Sequence, residues 1–343
     1  MMRRTAWVRR ARFIATSVLV GLIVAFLTYE LSVEPGAAIV KAVFEAKPEV
    51  TPPDDFSAVE AAVSSTEPIA ITATNAPPAS ITISRPTETG EALLPVVLWI
   101  HGGGFISSSA DTVADYTSIL ASHGYVVANL DYSLAPGSQH PVPVLQADAA
   151  LGFLAKHATE YGGDPDKIVL GGDSAGAQIA SEVAALETNR QVAASLQTTP
   201  ALHSTATGMA GPLRGVVLFC GLYNMQTVAD TGFPALRTYL WAYTGHREWT
   251  TAPGIENLST TSTATTDYPP TFLSVGDADP FRSQAAELAS ALVQKEVAVT
   301  TLFWDGTGDG LGHEYQFDFS LPQAHTALDA TLDFLTSATT GNS

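Results

Sequence analysis

The chain has 343 residues, of which 46% are hydrophobic, and 34 acidic against 16 basic side chains give it a formal net charge of −18. This hydrophobic content provides for a sizeable core and excludes a largely disordered chain, while the negative charge argues against nucleic acid and anionic lipid surfaces as partners. The single cysteine, Cys220, excludes an intrachain disulfide, and without Cys or His pairs at zinc-ligand spacing we predict no metal and no cofactor.

The N-terminus carries a membrane-targeting pattern. Residues 1–12 contain five arginines, and the following run, Phe13–Tyr29, contains no charged residue. Basic residues before an apolar run keep that end in the cytoplasm, so the rest of the chain is expected to cross the membrane. The run is at the lower length limit for a bilayer span and longer than most signal cores. We therefore predict a transmembrane anchor at residues 13–29 with the rest of the chain extracytoplasmic; the alternative is a cleaved signal peptide and a secreted protein.

Residues 30–68 are interrupted by prolines and are predicted to form a connector. From Ile69 to the C-terminus, short β-branched runs alternate with helix-length stretches, which is typical of a mostly parallel α/β sheet. The predicted strands are Ile69–Thr74, Ser80–Ser84, Pro95–Ile100, Val126–Leu130, Lys167–Leu170, Gly215–Phe219, Thr271–Val275 and Val297–Phe303. The predicted helices are Val113–His123, Val142–Tyr161, Ala175–Leu186, Ser283–Lys295 and Gln323–Leu335.

Residues 224–267 do not follow this alternation and are predicted to be an inserted cap over the carboxyl edge of the sheet. This insertion contains five aromatic residues that either line a substrate pocket or pack in the core: Phe233, Tyr239, Trp241, Tyr243 and Trp249.

The segment Gly172-Asp-Ser-Ala-Gly176 follows a predicted strand and opens a predicted helix. This is the G-x-S-x-G pattern in its strand–turn–helix context, where a strained turn projects the serine hydroxyl. Side chains at the two glycine positions would collide with the neighbouring backbone. Ser174 is therefore the candidate nucleophile.

A second glycine motif, His101-Gly-Gly-Gly-Phe105, directly follows the strand that ends at Ile100. Acyl transfer requires prepositioned donors for a developing oxyanion, and bare backbone amides meet that need. A phosphate-binding loop is the rival interpretation, but neither of the nucleotide-binding glycine patterns is present. The later loop Asp305–Gly310 likewise lacks the alternating ligands and closing glutamate of a calcium loop.

A serine nucleophile requires a base, and the base requires an acid that orients it. His313 is the best placed histidine, because it follows the last strand in a glycine-rich loop. The preceding strand ends in two acidic candidates, Asp277 and Asp279. Either one gives the order Ser, Asp, His that is expected of α/β-hydrolases.

These motifs together resemble the hormone-sensitive-lipase-like family of α/β-hydrolases, over about residues 69–338. The two glycine motifs, the interval of about seventy residues between them, and the segment Asp131–Pro136 followed by His140-Pro141 carry the resemblance. It implies an eight-stranded α/β-hydrolase sheet with a small cap, to which part of the connector at residues 30–68 and the insertion at residues 224–267 contribute. It also implies that the amides of Gly103, Gly104 and Ala175 form the oxyanion hole, and it favours Asp279 over Asp277, because Asp279-Pro-Phe-Arg282 matches the family's acid motif.

The chain departs from the family pattern at several positions. Ser133 and Gly137 replace Arg and Glu, Ala177 replaces a frequent glycine, and Glu314-Tyr315 follows His313 where the family usually has Gly-Phe. The resemblance implies a carboxylesterase that hydrolyses small, short-chain esters through a Ser174–Asp279–His313 triad. An amidase or lactonase with the same triad, and a non-catalytic ligand-binding relative, are the alternatives.

Overall fold

The computed structural model describes residues 30–45, 50–202 and 213–340. The predicted anchor at residues 13–29 lies outside these ranges. Within them, every helix is too short or too polar to traverse a bilayer.

A nine-stranded sheet organises the described part of the chain. Its strands are β1 (Val63–Ser65), β2 (Ile69–Ile71), β3 (Ala79–Pro86), β4 (Leu94–Ile100), β5 (Val126–Asp131), β6 (Gly163–Asp173), β7 (Gly215–Phe219), β8 (Thr271–Ser274) and β9 (Val299–Leu302). They lie in the order β1-β3-β5-β4-β6-β7-β8-β9, and β2 pairs with β3. Strands β5, β4, β6, β7, β8 and β9 are parallel, whereas β3 is antiparallel to β1, β2 and β5.

Burial explains the character of the central strands. Every residue of β7 and β8 is buried, as are the last five residues of β4. Strands covered on both faces read as continuous apolar runs rather than as alternating ones.

The described helices are α1 (Glu34–Phe44), α2 (Phe56–Ala62), α3 (Ala114–Ser122), α4 (Val142–His157), α5 (Ser174–Thr188), α6 (Arg190–Ser195), α7 (Leu236–Thr244), α8 (Thr260–Thr263), α9 (Arg282–Gln294) and α10 (Pro322–Thr340). Short 3₁₀ turns lie at Ala110–Val113, Ala158–Tyr161, Val228–Thr231, Trp249–Thr251, Ile255–Leu258 and Tyr315–Phe317. Helix α5 contacts β4, β6 and β7, and α10 contacts β6 to β9, so these helices cover the centre of the sheet.

The mostly parallel α/β architecture is confirmed, and all eight predicted strands are present. The predicted number of strands was nevertheless one too low. Strand β1, Val63–Ser65, lies within the predicted connector and pairs antiparallel with the end of β3. Its three residues are half-buried or exposed, so it offers no apolar run that the sequence pattern could reveal.

Helix α1 packs against α7, which lies within residues 224–267. The rings of Phe44 and Tyr239 meet edge to face at this contact, with centroids 6.1 Å apart. We call helix α1 and residues 224–267 together the cap.

Candidate active site

The turn between β6 and α5 places Ser174 at the first residue of the helix, with a backbone φ of +49°. A left-handed φ at a non-glycine residue costs on the order of 1–3 kcal/mol and persists only where the surroundings impose it. At Ser174 the constraint comes from neighbouring backbone atoms that pack tightly against the turn. A Cβ on Gly176 would overlap the carbonyl oxygen of Ile100, and one on Gly172 would lie 2.7 Å from the backbone of Gly176.

The structure brings together the side chains of Ser174, His313 and Asp279. His313 Nε2 lies 2.8 Å from Ser174 Oγ, and His313 Nδ1 lies 2.9 Å from Asp279 Oδ2. Because a carboxylate only accepts, Nδ1 carries the proton that it donates to Asp279, and Nε2 accepts from the serine hydroxyl. The serine and the aspartate are buried, whereas the histidine side chain retains 17% of its exposure.

The two acidic candidates have different partners. Asp279 Oδ2 faces the imidazole, and Asp279 Oδ1 accepts from the backbone N–H of Phe281 at 2.7 Å. Asp277 instead accepts from the N–H groups of Gly310 and Leu311, at 3.2 and 2.6 Å. Desolvation raises the pKa of Asp277, but these backbone N–H donors outweigh it, so the net pKa is lowered. Asp277 therefore holds the loop that leads to His313.

The glycine motif forms a tight turn beside Ser174. Gly103 and Gly104 have φ values of +92° and +60°. A Cβ on Gly104 would overlap the ring of Tyr239, so only glycine lets the cap approach the turn this closely. Gly104 and Ala175 line the same cavity as Ser174. The donor role of the Gly103, Gly104 and Ala175 amides remains a prediction.

Two aromatic residues hold the first part of this motif. His101 is completely buried, its Nδ1 lies 3.0 Å from the carbonyl oxygen of Gly102, and its ring stacks on Tyr132 with centroids 4.3 Å apart. Burial lowers the pKa of His101 to about 4, against the raising effect of the Gly102 carbonyl, so this imidazole is neutral at pH 7. The Tyr132 hydroxyl donates to the carbonyl oxygens of His101 and Gly102, both at 3.1 Å. The sequence places Tyr132 in the segment Asp131–Pro136 but gives no sign of this role.

Two cavities meet at the Ser174–His313 pair. The first is narrow and apolar, with a volume of about 10 Å³; it is lined by Phe44, Gly104, Phe105, Ser174, Ala175, Leu222, Phe233, Leu236, Tyr239, Leu240 and Phe281. The second is a wider, more open cleft with a volume of about 710 Å³; it is lined by Val43, Phe44, Glu45, Thr51, Ser108, Thr112, Gly312, His313, Glu314, Tyr315, Asp318 and Leu321. We call them the apolar cavity and the open cleft.

Four of the five aromatic residues of the insertion divide between the two interpretations, and Trp241 fits neither. Phe233 and Tyr239 line the apolar cavity. Tyr243 is buried and stacks on Phe105 with centroids 3.8 Å apart, and Trp249 is also buried. Trp241 lies under the guanidinium of Arg247, 5.8 Å from its ring centroid.

Cys220 is buried and lies beside the Asp279–His313 pair, a position that its sequence context does not indicate. Its sulfur and ligand atoms of Asp279 and His313 lie within 4.8 Å of one another. Both histidine nitrogens already face Asp279 and Ser174. Burial, together with nearby carboxylates, raises the pKa of the Cys220 thiol, which therefore stays protonated and is a poor metal ligand.

Comparison with known proteins gives consistent matches. A family model described as an alpha/beta hydrolase fold matches residues 97–313. The carboxylesterase NlhH of Mycobacterium tuberculosis is 28% identical over 225 residues, which cover 60% of this chain and 63% of that protein. An acetyl esterase of Salmonella choleraesuis is 31% identical over 142 residues, covering 41% of this chain and 38% of that protein. The chain thus spans less than two thirds of the length of these curated relatives.

Solved structures show the same fold. Esterase B from Lactobacillus rhamnosis superposes with a TM-score of 0.73 at 21% identity, covering 90% of this chain and 96% of that one. A bacterial heroin esterase superposes with a TM-score of 0.68 at 24% identity, covering 88% and 91% of the two chains.

Proposed function

Because the chain belongs to the hormone-sensitive-lipase-like family of α/β-hydrolases, we propose that it is a serine hydrolase that cleaves carboxylic esters. The observation that carries this proposal is the bridge made by His313, 2.8 Å from Ser174 Oγ on one side and 2.9 Å from Asp279 Oδ2 on the other. The three side chains are a nucleophile, a base and an acid that orients the base, joined by two hydrogen bonds. This arrangement activates a serine hydroxyl for acyl transfer.

The proposed reaction has two acyl-transfer steps. His313 removes the Ser174 proton as Oγ attacks the ester carbonyl, and the amides of Gly103, Gly104 and Ala175 stabilise the resulting oxyanion. His313 then gives the proton to the leaving alcohol oxygen, which leaves an acyl-enzyme. Water, deprotonated by the same imidazole, releases the acid and restores the serine. Asp279 fixes the tautomer of His313 and stabilises its protonated form.

The cavities support a preference for short acyl chains. His313 must reach the leaving oxygen, and His313 lines the open cleft, so the alcohol moiety lies on the cleft side of Ser174. The acyl group then enters the apolar cavity, whose narrow space is bounded by large side chains such as Phe44, Phe233 and Tyr239.

The nucleophile is tested with p-nitrophenyl acetate and the variant Ser174→Ala. We expect kcat to fall by about 10³-fold or more, because the hydroxyl forms the covalent intermediate. A fluorophosphonate probe should label the wild type and not the variant. Equal esterase rates would remove Ser174 from the mechanism. A wild type that neither turns over esters nor reacts with the probe would point to a non-catalytic binding protein.

We also propose that residues 13–29 anchor the protein in a membrane with the hydrolase domain on the extracytoplasmic side. The basic residues 1–12 followed by an uncharged apolar run support this proposal. A membrane-impermeant fluorophosphonate added to intact cells should label a band that remains with the membrane fraction. A labelled band in the medium would indicate a cleaved, secreted form instead.

A further inference from the structure

Glu314 has a backbone conformation that residues other than glycine adopt only under strain. It directly follows His313 and has a φ of +61°, in the left-handed region where a non-glycine residue loses about 1–2 kcal/mol. Glycine, the usual residue of the resembled family at this position, would avoid that loss. The backbone N–H of Glu314 is hydrogen-bonded to the buried Cys220 sulfur, which helps to hold this conformation.

The conformation directs the Glu314 carboxylate to the reacting groups. Glu314 Oε1 lies 3.7 Å from His313 Nε2, the nitrogen that also faces Ser174 Oγ. The same oxygen lies 3.0 Å from the point that a Cβ on Gly102 would occupy. A carboxylate therefore stands between the base and the glycine turn, with 17% of its side chain exposed.

The base and this carboxylate face the same cleft. In the proposed reaction the leaving oxygen receives a proton from His313 Nε2, and both His313 and Glu314 line the open cleft. The proposed reaction therefore places the alcohol moiety in the cleft, beside Glu314.

The other described residues of the cleft wall are negatively charged or neutral. Glu45 and Asp318 are the charged ones besides Glu314, and no Lys or Arg is among the lining residues within 30–45, 50–202 and 213–340. Lys41, outside the lining, pairs with Glu45 at 3.5 Å and offsets part of that charge. Thr51, Ser108, Thr112 and Tyr315 also line the cleft. The net charge of −18 adds a negative field over the whole molecule.

We propose that Glu314 is a specificity-determining residue that makes the open cleft select esters of positively charged alcohols, such as those with an ammonium group. This inference rests on the proposed esterase function. A cation in the cleft lies next to Glu314 and also offsets the repulsion between its carboxylate and the oxyanion. A neutral alcohol leaves that repulsion in place, and an anionic alcohol adds to it.

The experiment compares two acetate esters of nearly the same shape, acetylcholine and its uncharged isostere 3,3-dimethylbutyl acetate. The readout is the ratio of their kcat/KM values, which cancels changes that affect both substrates equally. The wild type should favour the cation by up to about fivefold, as expected of one partly exposed charge pair, and the ratio should fall as salt is added. In Glu314→Gln the ratio should fall toward one.

Two further variants complete the design. Glu91→Gln removes the same charge from an exposed residue just before β4, at the opposite edge of the sheet, and should keep the wild-type ratio. Glu314→Gly removes the carboxylate and the backbone strain together, so it should fold at least as well as the wild type and also lose the preference.

An unchanged ratio in Glu314→Gln and Glu314→Gly, or a wild-type ratio near one, would overturn the role of Glu314. If the wild type cleaves neither ester nor p-nitrophenyl acetate, the proposed esterase function itself fails. The two failures are thus distinguishable.

Discussion

Asp277 and Asp279 stand two residues apart after β8, yet their carboxylates work on different partners. One binds two backbone N–H groups at Gly310 and Leu311, and the other faces an imidazole nitrogen. A hydrogen bond to the backbone shapes the loop, whereas a hydrogen bond to Nδ1 fixes which histidine nitrogen can accept a proton. The two residues should therefore affect different properties of the enzyme.

The matched variants Asp279→Asn and Asp277→Asn test this difference. Asparagine at position 279 can present its amide to Nδ1 and favour the wrong imidazole tautomer, so we expect kcat to fall by on the order of 10²- to 10⁴-fold. Asparagine at position 277 can still accept one backbone N–H, so kcat should change by less than about tenfold. Turnover of p-nitrophenyl acetate gives both values. A larger loss at position 277 would transfer the acid role to that residue.

The individual residues of the candidate site differ in how far the sequence could reveal them. Ser174 lies in a local pattern whose strand, turn and helix are all readable, so its position in the turn could be predicted. His313 and Asp279 required only the order of the strands, because parallel strands end at the same edge of a sheet. The role of Tyr132 could not be predicted, since its hydrogen bonds reach a segment about thirty residues away. Glu314 is adjacent to His313, but the direction of its side chain depends on a left-handed backbone that the sequence does not reveal.

At the scale of elements, the apolar cavity exists because two helices distant in sequence meet above the sheet. Helix α1 contributes Phe44, and helix α7 contributes Tyr239, whose ring rests directly over Gly104. Phe233, from the loop before α7, stacks on Phe281 with centroids 4.3 Å apart. The cap therefore determines the depth of the cavity, whereas the loops at the carboxyl edge of the sheet carry Ser174, Asp279 and His313.

We predict that Tyr239→Ala lengthens the acyl chain that the enzyme accepts. Tyr239 is 4% exposed, and its removal would extend the cavity beside Ser174. The ratio of kcat/KM for p-nitrophenyl hexanoate to that for the acetate should rise by about tenfold or more, since each buried methylene contributes about 0.8 kcal/mol.

Trp241→Ala, on the same helix but outside the cavity lining, is the matched control and should leave that ratio near the wild-type value. A ratio that is unchanged in Tyr239→Ala would mean that the acyl group does not enter this cavity. A fall in melting temperature common to both variants would reflect helix packing alone.

The elements themselves were predictable to different degrees. Central strands and the helices that cover them produce long apolar or amphipathic runs, and α4 and α5 begin within one residue of their predicted starts. The insertion at residues 224–267 breaks into one helix of nine residues, a shorter helix and 3₁₀ turns. Such short pieces are stabilised by packing on the rest of the protein, so their own sequences carry little periodic signal.

At the scale of the whole molecule, a buried pair of acids joins the two helices beside β6. Asp148 on α4 and Glu187 on α5 hydrogen-bond to each other. Asp148 Oδ1 accepts from the backbone N–H of Ala201 at 3.1 Å, and Glu187 Oε1 accepts from the N–H of Leu202 at 3.2 Å. Two carboxylates this close cannot both ionise readily, so one proton is shared between them. The pair ties a surface loop to the helix that carries Ser174.

This pair should make stability depend on pH. Burial, followed by the charge of Glu187, raises the pKa of Asp148 from 3.8 to about 8, and burial also raises the pKa of Glu187. Between pH 3.8 and about pH 8, the folded protein holds a proton on Asp148 that the unfolded chain has released. The stabilisation that this proton gives the folded state is therefore complete below about pH 4 and is lost as the pH rises to about 8.

Asp148→Asn has no proton to lose at this position, and its amide can still donate to Glu187 while its oxygen accepts from Ala201. Urea unfolding should therefore show the variant gaining stability relative to the wild type by at least about 1 kcal/mol between pH 5 and pH 8.5, since one pKa unit corresponds to about 1.4 kcal/mol. Asp267→Asn, at an exposed loop residue, should follow the wild-type curve. If the Asp148→Asn and wild-type curves run parallel over this range, the two carboxyl groups do not share a proton in the folded protein.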